Sequence, residues 1–392
     1  MARLFSVCSL ALAATCASTV LASAQVSSSP TDSHISPATT APVAYVYVSS
    51  AANLTSGHIY EFSAATNGAL TAIPGSPVPT NGVNYMALTG TWLFGVANQD
   101  TDIDSFFIGF NGALRRRDIY HVTPPGPGVI SVYLDHTGST LYGDFYTTNN
   151  DYLSFSINQT TGQLKETGDL PGGPPNNSPV SFMGNNKYAY SSSCYHFGPE
   201  IIGVQRNTDG TLAYLNHFSP PFPAEKSGGF YCPLRAAADP TNHLAIAMEP
   251  LKPNWGQDGA WQLATYTVDS AGNLTTSSTY LNMPKVLVGT VNDYWTSPDG
   301  KYLAVGGSSG LQIFHFNGAN PMTKLTGVLT SSPIVQVFWD NSGHVYALSQ
   351  AFRGGPTTGK LFIYAVTSKG VTPARGSPHI IANAQNLIVL PK

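Results

Sequence analysis

His58-Ile59-Tyr60-Glu61-Phe62, followed by Asn67-Gly68-Ala69-Leu70, reads as a short alternating strand, a glycine turn and the start of a second strand. The phrase returns along the chain. Asp104 to Phe110 leads into Asn111-Gly112-Ala113-Leu114, and Tyr152 to Ile157 into Thr161-Gly162-Gln163-Leu164. Ile201 to Gln205 leads into Asp209-Gly210-Thr211-Leu212, and Leu263 to Val268 into Ala271-Gly272-Asn273-Leu274. Leu311 to Phe316 and Leu361 to Val366 open two further copies, with turns read at Asn320-Pro321-Met322 and Lys369-Gly370-Val371. The closing apolar residues (70, 114, 164, 212, 274, 322, 371) lie 44 to 62 residues apart. An all-β repeat near fifty residues predicts a seven-bladed β-propeller, one repeat per blade.

A second pattern precedes each phrase, clearest at Val291 to Val305 with the turn Ser297-Pro298-Asp299-Gly300. Looser copies turn at Asp135-His136-Thr137-Gly138, Asp239-Pro240-Thr241-Asn242 and Asp340-Asn341-Ser342-Gly343. Each blade is therefore predicted as four antiparallel strands, innermost to outermost. Tyr45-Val46-Tyr47-Val48 reads as a second strand lacking a first, and Asn386 to Pro391 as a first strand lacking a second. Together they predict one shared blade that closes the ring and removes its exposed edges.

Residues 1–24 read as a secretory signal peptide: Arg3, an apolar stretch from Leu4 to Leu21, then Ala22-Ser23-Ala24. Ala13-Ala14-Thr15 before Cys16 is a poor lipobox, so a lipid anchor on Cys16 is the lesser expectation. Residues 25–42, rich in Ser, Thr and Pro, read as a flexible tether, and residues 43–392 as the single propeller domain. The expected location is outside the cytoplasm: periplasmic, cell-surface or secreted. Charged residues make up 10 % of the chain and the net charge is −3, which gives no basic face for nucleic acid. No transmembrane span is expected, and the protein is expected to be a monomer.

The mature chain keeps two cysteines, Cys194 and Cys232, and an even pair in an exported protein favours a disulfide. The topology puts both on one face, along with the excursion Pro220-Pro221-Phe222-Pro223 and the long insert Glu249 to Gly259. Long loops on a rigid scaffold commonly carry binding function. Counting back five residues from each inner turn predicts the mouth of the central channel. It gives Val83, Ser131, Pro179, Arg235, Asp293, Gln336 and Asn386. Such a ring can orient a small oxygenated ligand, or Arg235 and Asp293 can simply pair. Scattered histidines predict no metal, and no cofactor is implied. Gly306-Gly307-Ser308-Ser309-Gly310 matches a hydrolase string, but it lies between two strands rather than at a strand-to-helix elbow.

Gly68-Ala69-Leu70-Thr71-Ala72-Ile73-Pro74-Gly75-Ser76-Pro77 and Ser297-Pro298-Asp299-Gly300-Lys301-Tyr302-Leu303-Ala304-Val305 resemble blade signatures of seven-bladed lactonase-like propellers. That group includes cycloisomerase-type 6-phosphogluconolactonases and fungal carboxy-muconate cyclases. The resemblance implies a catalytic Arg and Glu from Gly-Pro-Arg-His and Asn-Glu-Leu phrases. The matching stretch is Cys232-Pro233-Leu234-Arg235-Ala236 with Ala247-Met248-Glu249-Pro250; Ala236 stands where the family has histidine, and the spacing is two residues shorter. Two readings follow. One is a binding scaffold whose decorated face, with Trp255 and Tyr231, holds a glycan, a protein or a small oxygenated or carboxylated molecule. The alternative is a lactonase or cyclase, with Arg235 gripping a carboxylate and Glu249 or Asp293 moving protons.

Overall fold

The computed structural model describes residues 41–53, 56–97, 102–122, 129–145, 151–170, 179–194, 198–215, 219–226, 228–350 and 357–392. The expected leader, Cys16 and nearly all of the expected tether lie outside the described residues. The described residues form seven antiparallel sheets, one per blade. The innermost strands of blades 1 to 6 are Val83–Leu88, Val129–Leu134, Ser181–Phe182, Phe230–Ala238, Val291–Thr296 and Gln336–Trp339. Blade 7 combines both ends of the propeller, and Ala384–Pro391 is its innermost strand.

Ring closure follows the predicted pairing. Tyr45 opposes Leu390, Tyr47 opposes Ile388 and Ser49 opposes Asn386 across an antiparallel ladder. On its other side the strand Ala44–Asn53 pairs with Ser56–Ala64. The apolar side chains of each sheet face its neighbours, so the core is divided into seven layers between adjacent blades. Leu263 and Ala245 of blade 4, for example, pack against Val305 and Phe314 of blade 5.

The repeated glycine turn has a structural task. It rests on the second strand of the preceding blade, and a Cβ on Gly112 would lie 2.4 Å from the Tyr45 ring. Gly112 also has φ +83°, which only glycine adopts freely. Tyrosines two residues along those second strands complete the tie. Tyr47 donates to the Gly112 carbonyl at 2.8 Å, Tyr142 to Gly210 at 2.6 Å and Tyr190 to Gly272 at 2.7 Å. The phrase that reveals the repeat is therefore the contact that joins one blade to the next.

Two turns differ from the sequence reading. The outer turn of blade 5 is Gly318-Ala319, between paired Asn317 and Asn320, so Asn320-Pro321-Met322 is already strand. In blade 6 the turn is Ser368-Lys369, between Thr367 and Gly370. Two blades also carry a fifth short strand, Val78–Thr80 and His379–Ala382, each paired with its blade's third strand. Where the outermost strand stops short, a hydroxyl takes over the acceptor role of the missing carbonyl. Ser76 accepts from the Glu61 amide at 2.8 Å, Ser278 from Thr265 at 2.9 Å and Ser377 from Ile363 at 2.9 Å. Gly307 and Gly310 face each other across a two-residue hairpin, which makes the hydrolase-like string an ordinary turn.

Candidate functional site

A cavity of about 540 Å³ runs down the channel and draws its walls from the innermost strands of all seven blades. Ser131, Pro179, Arg235, Asp293, Gln336 and Asn386 all line it. Val83 does not. It is buried against Gly95, beside a bulge, and Tyr85 takes its place. The reason is local: the inner turn of blade 1 opens at Thr89, whose hydroxyl accepts from the amides of Thr91 and Trp92. Four residues before the turn-opening residue gives Tyr85, as it gives Ser131 before Asp135 and Asp293 before Ser297. The Thr89-Gly90-Thr91 turn contains no Asp, so its sequence does not match the other inner turns.

Asp293 is the most constrained member. Its Oδ1 is ion-paired with the Arg235 guanidinium and its Oδ2 accepts from the Val337 amide at 2.8 Å. One carboxylate thus joins blades 4, 5 and 6. Burial raises the Asp293 carboxyl, while the Arg235 charge and the Val337 amide offset part of that rise. Gln336 makes the next link, its Oε1 accepting from the Leu387 amide at 2.6 Å. Arg235 itself has φ +46°, a left-handed conformation that costs a side-chain-bearing residue on the order of 1 kcal/mol or more. It is held there through its carbonyl, which accepts from Ser192 at 2.8 Å and from Tyr294 at 2.7 Å. The guanidinium lies 5.7 Å from the centroid of the Trp295 ring.

The other expected site residues are dispersed. Glu249 opposes Cys232 on the second strand of blade 4, half-buried and away from the cavity lining, with burial raising its carboxyl. Arg235 and Asp293 meet; Glu249 does not join them. Tyr231 is not a surface contact but a core residue, with its hydroxyl donating to Gln262 at 2.7 Å. Burial explains why: its ring belongs to the layer between blades 3 and 4. Trp255 is 54 % exposed on its loop and packs edge-on against Phe230, ring centroids 4.8 Å apart. Cys194 and Cys232 form the expected disulfide, which links the end of a blade 3 strand to the innermost strand of blade 4.

Sequence reasoning missed the aromatic wall. Tyr133, Trp295 and Phe338 also line the cavity, each two residues beyond a ring position and so on the same sheet face. Trp295 and Phe338 stack at 5.6 Å with planes 22° apart. The period-two rule applied once more to Ser131, Asp293 and Gln336 finds all three. His136 lines the cavity too, held below its usual pKa by burial. It lies in the turn that follows the innermost strand of blade 2, beyond the other end of that strand from Ser131, and so towards the opposite mouth from Arg235. Among the described residues no cluster of three or more His, Cys, Asp or Glu is placed to hold a metal.

No protein-family model and no curated protein sequence matches this chain. Solved structures do. The periplasmic gluconolactonase of Pseudomonas aeruginosa superposes with a TM-score of 0.62 at 12 % identity, over 88 % of this chain and 99 % of its own. A candidate 6-phosphogluconolactonase from Bacteroides uniformis gives 0.65 at 14 % identity, again over 88 % and 99 %. A protein from Lactobacillus plantarum gives 0.64 at 16 % identity over the same shares. The chain is a seven-bladed propeller of lactonase-like fold. At these identities the likeness is one of fold alone.

Proposed function

We propose that this protein is an exported binding propeller that holds an uncharged, hydroxyl-rich small molecule, of the sugar or sugar-lactone class, in its central cavity. The observation that carries this reading is the commitment of Arg235 to Asp293. Arg235 is the only Arg or Lys among the described residues lining the cavity, and its charge is already neutralised. A phosphate or carboxylate entering there would lose its water and find no free cation in return. A neutral polyol would meet amide and hydroxyl groups on one ring and aromatic faces on the next, the usual mixture in small-molecule pockets.

The reading also moves the site from the decorated face to the channel, because Tyr231, one of the two aromatics expected on that face, is core. The disulfide and the periplasmic structural neighbour support export. A second reading, lactone hydrolysis, rests on His136 as a neutral base inside the same cavity. It requires the reacting carbonyl to sit near the His136 mouth, away from Arg235.

Calorimetric titration of the mature protein with glucose, myo-inositol, glucono-1,5-lactone, gluconate and 6-phosphogluconate separates these readings. The neutral compounds are expected to bind at least about tenfold more tightly than the anions, a difference of roughly 1.4 kcal/mol. Tighter binding of 6-phosphogluconate would overturn the proposal. Conversion of the lactone faster than its spontaneous hydrolysis would favour the second reading.

A further inference from the structure

Asp144 lies on the second strand of blade 2, directly across the ladder from Ser131 and in turn opposite Tyr152. It is 1 % exposed, and its Oδ2 has no hydrogen-bond partner. The Ser131 Oγ and the Tyr133 hydroxyl are also buried without partners. Opposed residues on paired strands share a sheet face, and so do residues two apart, so these three groups form one patch. Ser131 and Tyr133 belong to the cavity wall; Asp144 is not itself in the lining but stands behind them, one strand further out. Buried polar groups in native proteins are nearly always paired, so three unpaired groups on one face of one blade need a reason.

The other blades sharpen the point. Across from the ring residue the second strand carries Val96 in blade 1, Gly306 in blade 5, Leu348 in blade 6 and Ser49 in blade 7. A carboxyl at this level breaks the repeat. Packing does not call for it, since apolar or small residues fill the same place in those blades.

We infer that Asp144, Ser131 and Tyr133 form a recognition subsite for adjacent hydroxyl groups of the cavity's ligand. This rests on the reading of the cavity as a site for a neutral polyol. Asp144 Oδ2 accepts a hydrogen bond from one ligand hydroxyl, while Ser131 and Tyr133 each donate to, or accept from, the other. A vicinal diol satisfies all three groups at once. A single hydroxyl leaves one or more of them buried and unpaired, which is the costly outcome. The subsite therefore selects for a diol against its deoxy analogue. Asp144 is a binding residue here, and no covalent step is attributed to it.

The test titrates the mature protein with glucose, myo-inositol and glucono-1,5-lactone, and with monodeoxy analogues of whichever of these binds. Asp144→Asn, Ser131→Ala and Tyr133→Phe are run in parallel, their folding checked by thermal melting. Wild-type protein is expected to lose about tenfold in affinity for one deoxy analogue. Asp144→Asn is expected to lose about as much for the parent polyol and little more for that analogue. Should Asp144→Asn fail to fold, the same comparison is made with Ser131→Ala and Tyr133→Phe, each expected to weaken binding severalfold. Unchanged polyol affinity in the folded variants would overturn the subsite and leave the cavity reading standing. No binding of any neutral polyol to the wild type would overturn both.

Discussion

Two buried aspartates stand on opposite sides of the same channel and are treated in opposite ways. Asp293, on the innermost strand of blade 5, is gripped by Arg235 and by the Val337 amide. Asp144, one strand further out in blade 2, has a buried oxygen with no hydrogen-bond partner. The first carboxylate ties three blades together, so its polarity is consumed by the fold. The second has an oxygen that the fold leaves unpaired, so that part of its polarity remains for something else. The contrast separates charge that builds the ring from charge that awaits a ligand.

The difference is sharpest when one partner is removed on the paired side. Arg235→Ala leaves Asp293 buried without its counter-charge, which typically costs 3–5 kcal/mol, about as much as losing a large core side chain. Asp144→Asn removes a charge that has no counter-charge and is expected to leave stability unchanged or raise it. Urea denaturation of the two variants at neutral pH measures this directly. Equal losses in both would mean that Asp144 is structurally paired after all, and the contrast would fail.

The channel ring was legible in the sequence because innermost turns repeat: Asp135, Asp239, Ser297 and Asp340 each cap a turn four residues after a ring position. Tyr85 escaped because its turn, capped by the Thr89 hydroxyl, contains no Asp to mark it. Ring closure was legible from two half-blades that lacked partners. The failures concern burial and bulges. Tyr231 reads as a loop aromatic until the ladder with Pro250 places it inside blade 4. Glu249 matches a family phrase, yet the bulge between Leu234 and Ala237 changes how that strand meets its neighbour. Asp144 gave no signal, because Leu141-Tyr142-Gly143-Asp144 reads as an ordinary strand approaching a loop. Only the alignment of blades in space shows that its position is elsewhere held by Val96, Gly306, Leu348 or Ser49.

A substitution in the scaffold of blade 2 provides the complementary control. Gly162, in the outer turn of that blade, has φ +76°, and a Cβ there would lie 2.4 Å from the Trp92 ring of blade 1. That ring is held in place by its own hydrogen bond to the Gln159 carbonyl at 3.0 Å. Gly162→Ala therefore meets both a left-handed backbone and an immovable neighbour, together worth roughly 2–4 kcal/mol. The patch around Asp144 is on the inner strands and untouched by the change. Melting and titration together should show a large stability loss with unchanged ligand affinity, the reverse of Asp144→Asn. An affinity loss in Gly162→Ala would show that scaffold and site are coupled through blade 2.

The smallest effect is read from pH. Burial raises the Asp144 carboxyl from an ordinary value near 3.8 to about 7, and likewise raises Glu61, which accepts from the Leu114 amide at 2.5 Å, to about 7. Between the unfolded and folded values the folded protein holds the extra protons. Stability conferred by these protonated carboxyls is therefore complete at low pH and declines as pH rises towards 7, by about 1.4 kcal/mol per pH unit for each group. Above 7 the decline stops, because both states are then ionised. Asp293 contributes in the same direction, diminished by Arg235. Denaturation measured at intervals from pH 4.5 to 8 should show the slope in wild type, and Asp144→Asn should remove one group's share of it. A slope unaltered in Asp144→Asn would mean that this carboxyl is not held protonated by burial. Its desolvation would then already be relieved in the unliganded protein, and the two aspartates would not differ in kind.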